Sequence, residues 1–301
     1  MNIKPPKLKP GDKIGIIAPA GPVKRSELKH AIDLLSTKGY GIVQGPNLYK
    51  KKGYLAGHDY SRLEDLHSMF QDKNTKAIFC ARGGYGTLRL LDKIDYDLIR
   101  ENPKIIVGYS DITALLLAIY KKTGLVTFHG PVVKELDGSR YKNIDNLFDL
   151  ILSKRTLELN ISGGEAINTG RAKGTILGGN LSLIIHLIGT PFMPSMKGAI
   201  LFIEEKGEPL YRIDRMLTHL KLSGILNGVG GLIAGRFLDC GDTSDINRLL
   251  VDITSNRNIP VFSGLAVGHG DMENITIPIG LRAEFDTEKM ILSVKEECVE
   301  R

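Results

Sequence analysis

The sequence predicts an α/β fold, with a doubly wound parallel sheet in an N-terminal domain and a mixed sheet in a second α/β domain. Three observations predict it. Short β-rich runs alternate with amphipathic helical runs through the first half, which is typical of a parallel sheet with helices on both faces. The alternation resumes after a loosely patterned middle segment. The chain then ends in strands that read as a hairpin, which favours antiparallel pairing in the second sheet.

The first βα unit shows this pattern clearly. A β-rich run at residues 13–18 precedes a helical run at 26–38, in which Ala31, Leu34 and Leu35 share one face. The alternation continues through strands predicted at 40–44, 76–81 and 104–108 and helices predicted at 60–70, 87–94 and 112–122.

The middle of the chain separates two predicted domains. From residue 137 to 174 the pattern loosens and glycines interrupt short polar pieces. We therefore predict domains at 1–145 and 165–301, joined by a connection at 146–164. Within the second domain we predict helices at 181–188, 211–222 and 246–255 and strands at 199–203, 231–234, 261–267, 275–278 and 290–294.

The composition is that of an ordinary globular protein. The 301 residues suffice for two cores, and the 42% hydrophobic and 25% charged fractions argue against disorder. No run approaches the roughly 20 apolar residues that a membrane span needs. The charged N-terminus is not followed by the apolar segment of a secretory signal. We therefore expect a cytoplasmic protein with no membrane partner.

Cysteine and charge narrow the possible partners. Three cysteines without a C-x-x-C pair fit reduced thiols and predict no structural metal. The net charge of +6 is spread along the chain, and its one dense cluster, at 50–52, is typical of a solvated loop. We expect no nucleic-acid partner, and the mild positive balance suits a small anionic substrate better.

The sharpest feature is a buried strand that turns through Gly108 and Ser110 into an apolar helix. This is the layout of a nucleophile elbow, in which the serine hydroxyl stands at the top of the sheet. The N–H of the next residue, Asp111, then faces the position of an oxyanion. The motif departs from G-x-S-x-G because Ile112 replaces the last glycine. The alternative is that Ser110 or Asp111 simply caps the helix.

A second loop, at 82–86 and here called the glycine loop, also follows a strand and opens a helix. Backbone amides at such a turn gather around anions, and parallel topology could place this loop beside the elbow. Gly84 is therefore a candidate for the second oxyanion donor. The alternative is a tight turn that needs positive φ. The loop lacks G-x-G-x-x-G spacing, so a dinucleotide site is disfavoured and no cofactor is predicted.

A serine nucleophile needs a base, and two of the seven histidines stand out. His129 and His269 each end an apolar run next to glycine. His269 is favoured because its flanking glycines give the imidazole an open rim, and His129 is the runner-up as a residue lining the pocket. His186, on an apolar helix face, is expected in the core. The other histidines are expected to be exposed: His30, His58, His67 and His219.

A histidine base is usually held by a carboxylate, and Glu204 and Glu205 end a predicted strand. The alternative is a charged strand terminus with no catalytic duty. Serine, glutamate and histidine then occur in an order by which known folds build a triad. Because the acid and base lie in the second domain, the site is predicted in the cleft between domains.

At these residues the sequence resembles the LD-carboxypeptidase family of serine peptidases, which includes muramoyltetrapeptide carboxypeptidases and microcin C immunity proteins. The matching segments span nearly the whole chain: Leu-Lys-Pro-Gly-Asp at 8–12, Ile-Ala-Pro-Ala at 17–20, Arg-Gly-Gly-Tyr-Gly at 82–86, Gly-Tyr-Ser-Asp at 108–111, Gly-Gly-Asn-Leu at 178–181, Glu-Glu at 204–205, Tyr-Arg-Ile-Asp-Arg-Met-Leu at 211–217 and Gly-His-Gly at 268–270.

The resemblance implies Ser110 as nucleophile, His269 as base and Glu204 as orienting acid, with the amides of Gly84 and Asp111 as oxyanion hole and no metal. It further implies a homodimer that removes the terminal D-alanine of murein tetrapeptide across an L,D bond during cytoplasmic recycling of wall fragments.

Three points of the resemblance concern specificity. Glu205 stands where the family often has aspartate, so the sequence leaves Glu204 and Glu205 open as the acid. The chain has no tryptophan to stack on a nucleobase, which favours peptide cleavage over cleavage of aminoacyl nucleotides. Arg82 is the candidate partner for the substrate carboxylate, with a plain surface arginine as the alternative.

Two rival functions remain. In the first, the protein is a non-catalytic module whose glycine loop binds an anion. In the second, it is a cysteine hydrolase, which is disfavoured because Cys80 precedes the glycine loop and does not occupy the elbow.

Overall fold

Fourteen strands and nine α-helices are found in the part of the chain that the computed structural model describes, residues 2–136, 141–153, 156–270 and 273–300. The strands are β1 Lys13–Ile17, β2 Gly41–Gln44, β3 Thr75–Cys80, β4 Ile105–Gly108, β5 Thr127–His129, β6 Glu158–Asn160, β7 Glu165–Asn168, β8 Arg171–Asn180, β9 Ile200–Lys206, β10 Gly231–Leu238, β11 Val261–Ser263, β12 Ile277–Ile279, β13 Arg282–Asp286 and β14 Ile291–Ser293. The helices are α1 Arg25–Thr37, α2 Asp59–Gln71, α3 Tyr96–Glu101, α4 Ile112–Thr123, α5 Tyr141–Ile151, α6 Leu181–Leu187, α7 Leu210–Leu222, α8 Ile225–Gly228 and α9 Thr243–Thr254.

The first sheet has the strand order β12-β5-β4-β3-β1-β2. Strands β1 to β5 pair in parallel, and β12 adds an antiparallel edge beside β5. This confirms the predicted doubly wound sheet. Its order reverses between β1 and β3, and ligands of such sheets bind outside the carboxyl ends near that point.

The second sheet has the order β6-β14-β13-β8-β9-β10-β11-β7. Strands β8 to β11 are parallel, and antiparallel strands flank them on both sides. The predicted mixed sheet is therefore confirmed, and β13 and β14 form the predicted terminal hairpin.

Two predicted elements differ from the structure. The predicted strand at 275–278 appears as β12 and joins the first sheet, because an alternating pattern fixes a strand's face but not its partner. The predicted helix at 87–94 is two 3₁₀ turns, at 87–89 and 91–93. It stops because Ile94 is extended and the Asp95 side chain accepts the N–H of Leu98, which begins α3 instead.

The predicted connection at 146–164 holds the end of α5 and all of β6, and its residues 154–155 lie outside the described residues. The division into domains at 145 and 165 stays a prediction. None of the described helices is long and apolar enough to cross a bilayer.

Helix α4 lies between the two sheets. All of its residues from 112 to 119 are buried, as expected of a helix that is apolar on every side. It packs on β4 and β5 of the first sheet and on β8 of the second. The start of α4 is thereby placed where the two sheets meet.

Arg62 links α2 to the glycine loop. Its side chain is 1% exposed, and its guanidinium donates to the carbonyl oxygens of Pro19 and Gly86, the latter at 2.9 Å. Asp59 accepts a further hydrogen bond from it at 2.7 Å. Because Gly86 ends the glycine loop, Arg62 fixes the far end of that loop.

Replacing Arg62 with methionine should lower the free energy of unfolding by about 3 kcal/mol, because two buried carbonyl groups lose their donor and Asp59 loses its buried partner. Urea unfolding of Arg62→Met measures the loss. The matched control is Arg89→Met: Arg89 also pairs with Asp59, at 2.9 Å, but is 46% exposed. That exposed pair should contribute less than about 1 kcal/mol. Equal losses in the two variants would contradict this account.

Candidate active site

Ser110 lies at the turn between β4 and α4 in a strained backbone conformation. Its φ is 65°, in the left-handed region that non-glycine residues enter at about 1–2 kcal/mol. Gly108 permits the sharp turn, because a Cβ there would lie 2.8 Å from Ile112 Cγ2. The backbone thus has the geometry of a nucleophile elbow, and the strain fits a functional position.

The Asp111 carboxylate ties the elbow to the glycine loop. It makes no capping bond to its own helix, contrary to the simple capping alternative. Instead Oδ2 accepts the N–H of Thr87 at 2.9 Å, and the Thr87 hydroxyl donates to the Asp111 carbonyl at 2.6 Å. Burial raises the pKa of Asp111, while the bonds from Thr87 and Gly86 oppose that rise.

The glycine loop lies directly against Ser110. A Cβ on Gly83 would be 2.9 Å from Ser110 Oγ, and one on Gly84 would be 3.0 Å from Gly21 Cα. The N–H of Gly21, in the loop after β1, donates to the Gly83 carbonyl at 3.1 Å. Gly84 has φ 116°, so the tight-turn explanation of this glycine also holds. Its role as an oxyanion donor stays a prediction.

His269 connects Ser110 to Glu204. His269 Nε2 lies 3.1 Å from Ser110 Oγ, and Nδ1 lies 2.7 Å from Glu204 Oε2. Glu204 lies in β9 and is fully buried, and the His269 backbone N–H also points to its Oε2 at 3.3 Å. Gly268 is needed for this approach, since a Cβ there would lie 2.5 Å from Glu204 Oε2. The flanking glycine therefore provides close contact, where the sequence suggested an open rim.

Glu205 points away from His269. Its Oε1 accepts the side-chain N–H of Asn180 at 2.8 Å, and its Oε2 accepts the backbone N–H of Ser182 at 2.8 Å, at the start of α6. Adjacent side chains on a strand face opposite sides, which separates the two glutamates. Glu204 is the one beside His269.

The pKa of His269 reflects two opposed effects. Burial alone would lower it, but the hydrogen bond and charge of Glu204, with the charge of Glu135, raise it above the ordinary value, and Lys206 opposes the rise. Held in this way, the imidazole is a stronger base than a free histidine and presents Nε2 to Ser110.

A cavity of about 530 Å³ opens in front of Ser110 and His269. It is lined by Arg82, Gly83, Gly84, Tyr109, Ser110, Val132, Lys134, Glu135, Lys206 and His269. Arg82 donates to the Pro22 carbonyl at 3.2 Å, and Lys134 pairs with Glu27. Sequence reasoning missed Glu135, which accepts the Tyr109 hydroxyl, because it lies in a short turn with no motif.

The other predicted histidines and the cysteines lie outside this cavity. His129 is fully buried and does not line it, so its prediction as a pocket residue was wrong. His186 is exposed, not in the core, and its Nδ1 lies against the Ser182 carbonyl. All three cysteines are buried and free, and burial raises the pKa of Cys298 to about 12. None of these thiols is placed to act as a nucleophile.

The raised pKa of His269 can be measured directly. Its imidazole should titrate above the ordinary value of about 6.5 in NMR spectra, since the Glu204 charge stabilises the imidazolium. Glu204→Gln should lower that pKa because the charge is removed. Glu205→Gln is the matched control and should leave it nearly unchanged. A larger shift in the control would show that Glu205 is the partner of His269.

The chain is similar in sequence and in structure to known proteins. Residues 14–130 match the LD-carboxypeptidase N-terminal domain, and residues 173–285 match the LD-carboxypeptidase C-terminal domain. The probable murein peptide carboxypeptidase of Bacillus subtilis is 38% identical, over 95% of this chain and 92% of that protein. A solved MccF-like protein from Bacillus anthracis has a TM-score of 0.90 and 32% identity, covering 96% of this chain and 98% of its own. The solved muramoyltetrapeptide carboxypeptidase from Oxalobacter formigenes has a TM-score of 0.83 and 30% identity. The match covers 94% of this chain and 99% of that protein. The chain therefore belongs to the LD-carboxypeptidase family and is a serine peptidase.

Proposed function

We propose that this protein is a serine carboxypeptidase that releases D-alanine from murein tetrapeptide by hydrolysing an L,D peptide bond. One observation carries the proposal: the hydrogen-bonded row of Ser110, His269 and Glu204 at an elbow that faces a charged cavity. The names of the Bacillus subtilis relative and the Oxalobacter formigenes structure support murein peptide as the substrate.

In the proposed reaction, His269 Nε2 takes the proton of the Ser110 hydroxyl as Oγ attacks the scissile carbonyl carbon. Glu204 holds Nδ1–H and stabilises the imidazolium that forms. The imidazolium then gives its proton to the leaving nitrogen of D-alanine, and the peptide stays on Ser110 as an ester. A water molecule, deprotonated by His269, hydrolyses that ester and restores the serine.

The oxyanion of the intermediate is proposed to face the backbone N–H groups of Asp111 and Gly84. Asp111 is the N-cap residue directly before α4, so the partial positive charge at the helix start adds to its N–H donor. The Thr87 bonds to Asp111 hold the glycine loop and the elbow in fixed register. Removing one such donor lowers kcat by roughly 10²–10³-fold in comparable hydrolases.

The cavity charges suit a peptide with a free C-terminal carboxylate. Three cations and one carboxylate line the cavity: Arg82, Lys134, Lys206 and Glu135. We assign Arg82 to the carboxylate of the leaving D-alanine, because it borders the glycine loop that is proposed to bind the adjacent carbonyl. From the family resemblance we also propose a cytoplasmic homodimer that acts in recycling of wall peptides. The even spread of positive charge along the chain predicts no nucleic-acid partner.

A second candidate substrate is an aminoacyl nucleotide, and the likeness to the microcin C7 self-immunity protein MccF, which has been solved in complex with aspartyl sulfamoyl adenosine, favours it. The chain lacks tryptophan, the side chain best suited to stack on a nucleobase. Peptide cleavage is therefore the first candidate.

Ser110→Ala should keep the fold and lose several orders of magnitude in kcat, because the atom that forms the ester is removed. D-alanine release and thermal unfolding measure the two effects. Ser195→Ala is the matched control, since Ser195 is exposed and does not line the cavity. Near-normal turnover by Ser110→Ala would contradict the proposed nucleophile.

The stereochemistry of the scissile bond gives a separate test. The enzyme should cleave a tetrapeptide ending in an L-centre followed by D-alanine and spare a D-alanyl-D-alanine bond. Inverting the acyl-side carbon moves the carbonyl out of the two-donor site, which forfeits its hydrogen bonds in the transition state. Release of D-alanine from matched peptides measures this. Equal rates on the two peptides, or cleavage of aminoacyl nucleotides alone, would contradict the proposed L,D peptide substrate. The assignment of Ser110 as nucleophile would still stand.

A further inference from the structure

His129 is fully buried close to Glu204, although it does not line the cavity. Its ring meets the ring of Phe202 edge to face, with centroids 5.1 Å apart. Phe202 and Glu204 share one face of β9, because they are two residues apart on a strand. The ring of Tyr109 contacts both imidazoles, 5.8 Å from His129 and 4.8 Å from His269.

Several buried polar atoms converge at this point. Both ring nitrogens of His129 and Oε1 of Glu204 lack a hydrogen-bond partner among the described residues. Burial lowers the pKa of the His129 imidazole, while the negative charge of Glu204 raises it, as expected of groups that lie near each other.

These atoms form a complementary set of donors and acceptors. A buried polar atom without a partner costs about 1–3 kcal/mol, and more if it belongs to a charged group such as Glu204. Burial lowers the pKa of His129 to about 4, so the ring is neutral near neutral pH and carries one N–H donor and one acceptor. Together with Glu204 Oε1, the ring supplies two polar partners, enough to hold an enclosed water molecule.

We propose that His129 is a positioning residue for the reaction: through an enclosed water molecule it donates a hydrogen bond to Oε1 of Glu204. The bond leaves Oε2 free to hold His269 Nδ1 and fixes the carboxylate in the rotamer seen here. This role rests on the proposed function of Glu204 as the orienting acid. His129 itself touches no substrate.

The hydrogen bond that His129 donates to Glu204 should also lower the pKa of His269. Four ionisable side chains face the two imidazoles: Glu204 and Lys206 from β9, Glu135 from the turn at 133–135, and Tyr109 from the elbow. A donor on Oε1 offsets part of the Glu204 charge. Without it, more negative charge acts on His269, its imidazolium is stabilised, and the basic form appears only at higher pH.

The kinetic test compares the pH profile of kcat/KM in three variants. His129→Leu removes the donor and should move the acidic limb up by about one pH unit while lowering kcat and leaving KM unchanged. His129→Gln keeps an amide donor and should restore the limb toward that of the wild type. Phe128→Leu, a change at the neighbouring buried residue of β5, controls for lost packing and should lower stability without moving the limb. An unmoved limb in His129→Leu, or an equal shift in Phe128→Leu, would overturn the proposal.

NMR of the protein with its native His129 tests the proposed link between His129 and Glu204 directly. This test does not require that the variants fold or that the enzyme cleaves murein peptide. The His129 ring should stay neutral from about pH 5 to 9, show one slowly exchanging ring N–H, and change its nitrogen shifts in Glu204→Gln. Ring signals that titrate near the ordinary pKa of about 6.5, or that ignore Glu204→Gln, would overturn the proposal. Either result leaves the assignment of Ser110 untouched.

Discussion

The close approach of β8 to the first turn of α4 is the contact on which the site depends. A Cβ on Gly179 would lie 2.6 Å from the Thr113 side chain, so only glycine fits, and the Asn180 N–H donates to Thr113 Oγ1 at 3.1 Å. Asn180 is in register with Glu204 on the next strand. Glu204 holds His269, and His269 reaches Ser110, three residues before Thr113. The contacts thus close a ring across the two sheets, and a shift at Gly179 would change the distance between Ser110 and His269.

The burial of Glu204 gives this circle of contacts its chemical effect. Glu204 is a fully buried carboxylate whose Oε2 accepts from both the ring and the backbone of His269. In such surroundings a charge acts strongly on its neighbour, which is why the pKa of His269 rises despite burial of the ring. The strained backbone of Ser110 is maintained by the same packing, since the glycine loop and the Asp111 carboxylate hold the elbow from one side and α4 from the other.

The sequence permits prediction of features whose cause is local. The elbow follows from a buried strand, Gly108 and an apolar helix. The Gly-His-Gly segment singled out His269, although the close contact of Gly268 with Glu204 was not predicted. Features set by distant partners could not be read from it. Which of Glu204 and Glu205 meets His269 depends on the register of β9 against β8, and the partner of β12 depends on the whole sheet. The burial of His129 was missed for the same reason, because its neighbours are contributed by β9 and β12.

The central claim is that this ring of contacts makes Ser110 a nucleophile, and covalent labelling tests it most directly. A fluorophosphonate probe reacts with a serine hydroxyl that an adjacent base has activated. Peptide mass spectrometry of the labelled protein should place a single adduct on Ser110, and Glu204→Gln should slow its formation. An intact protein that takes up no probe, or takes it up at another residue, would contradict the account.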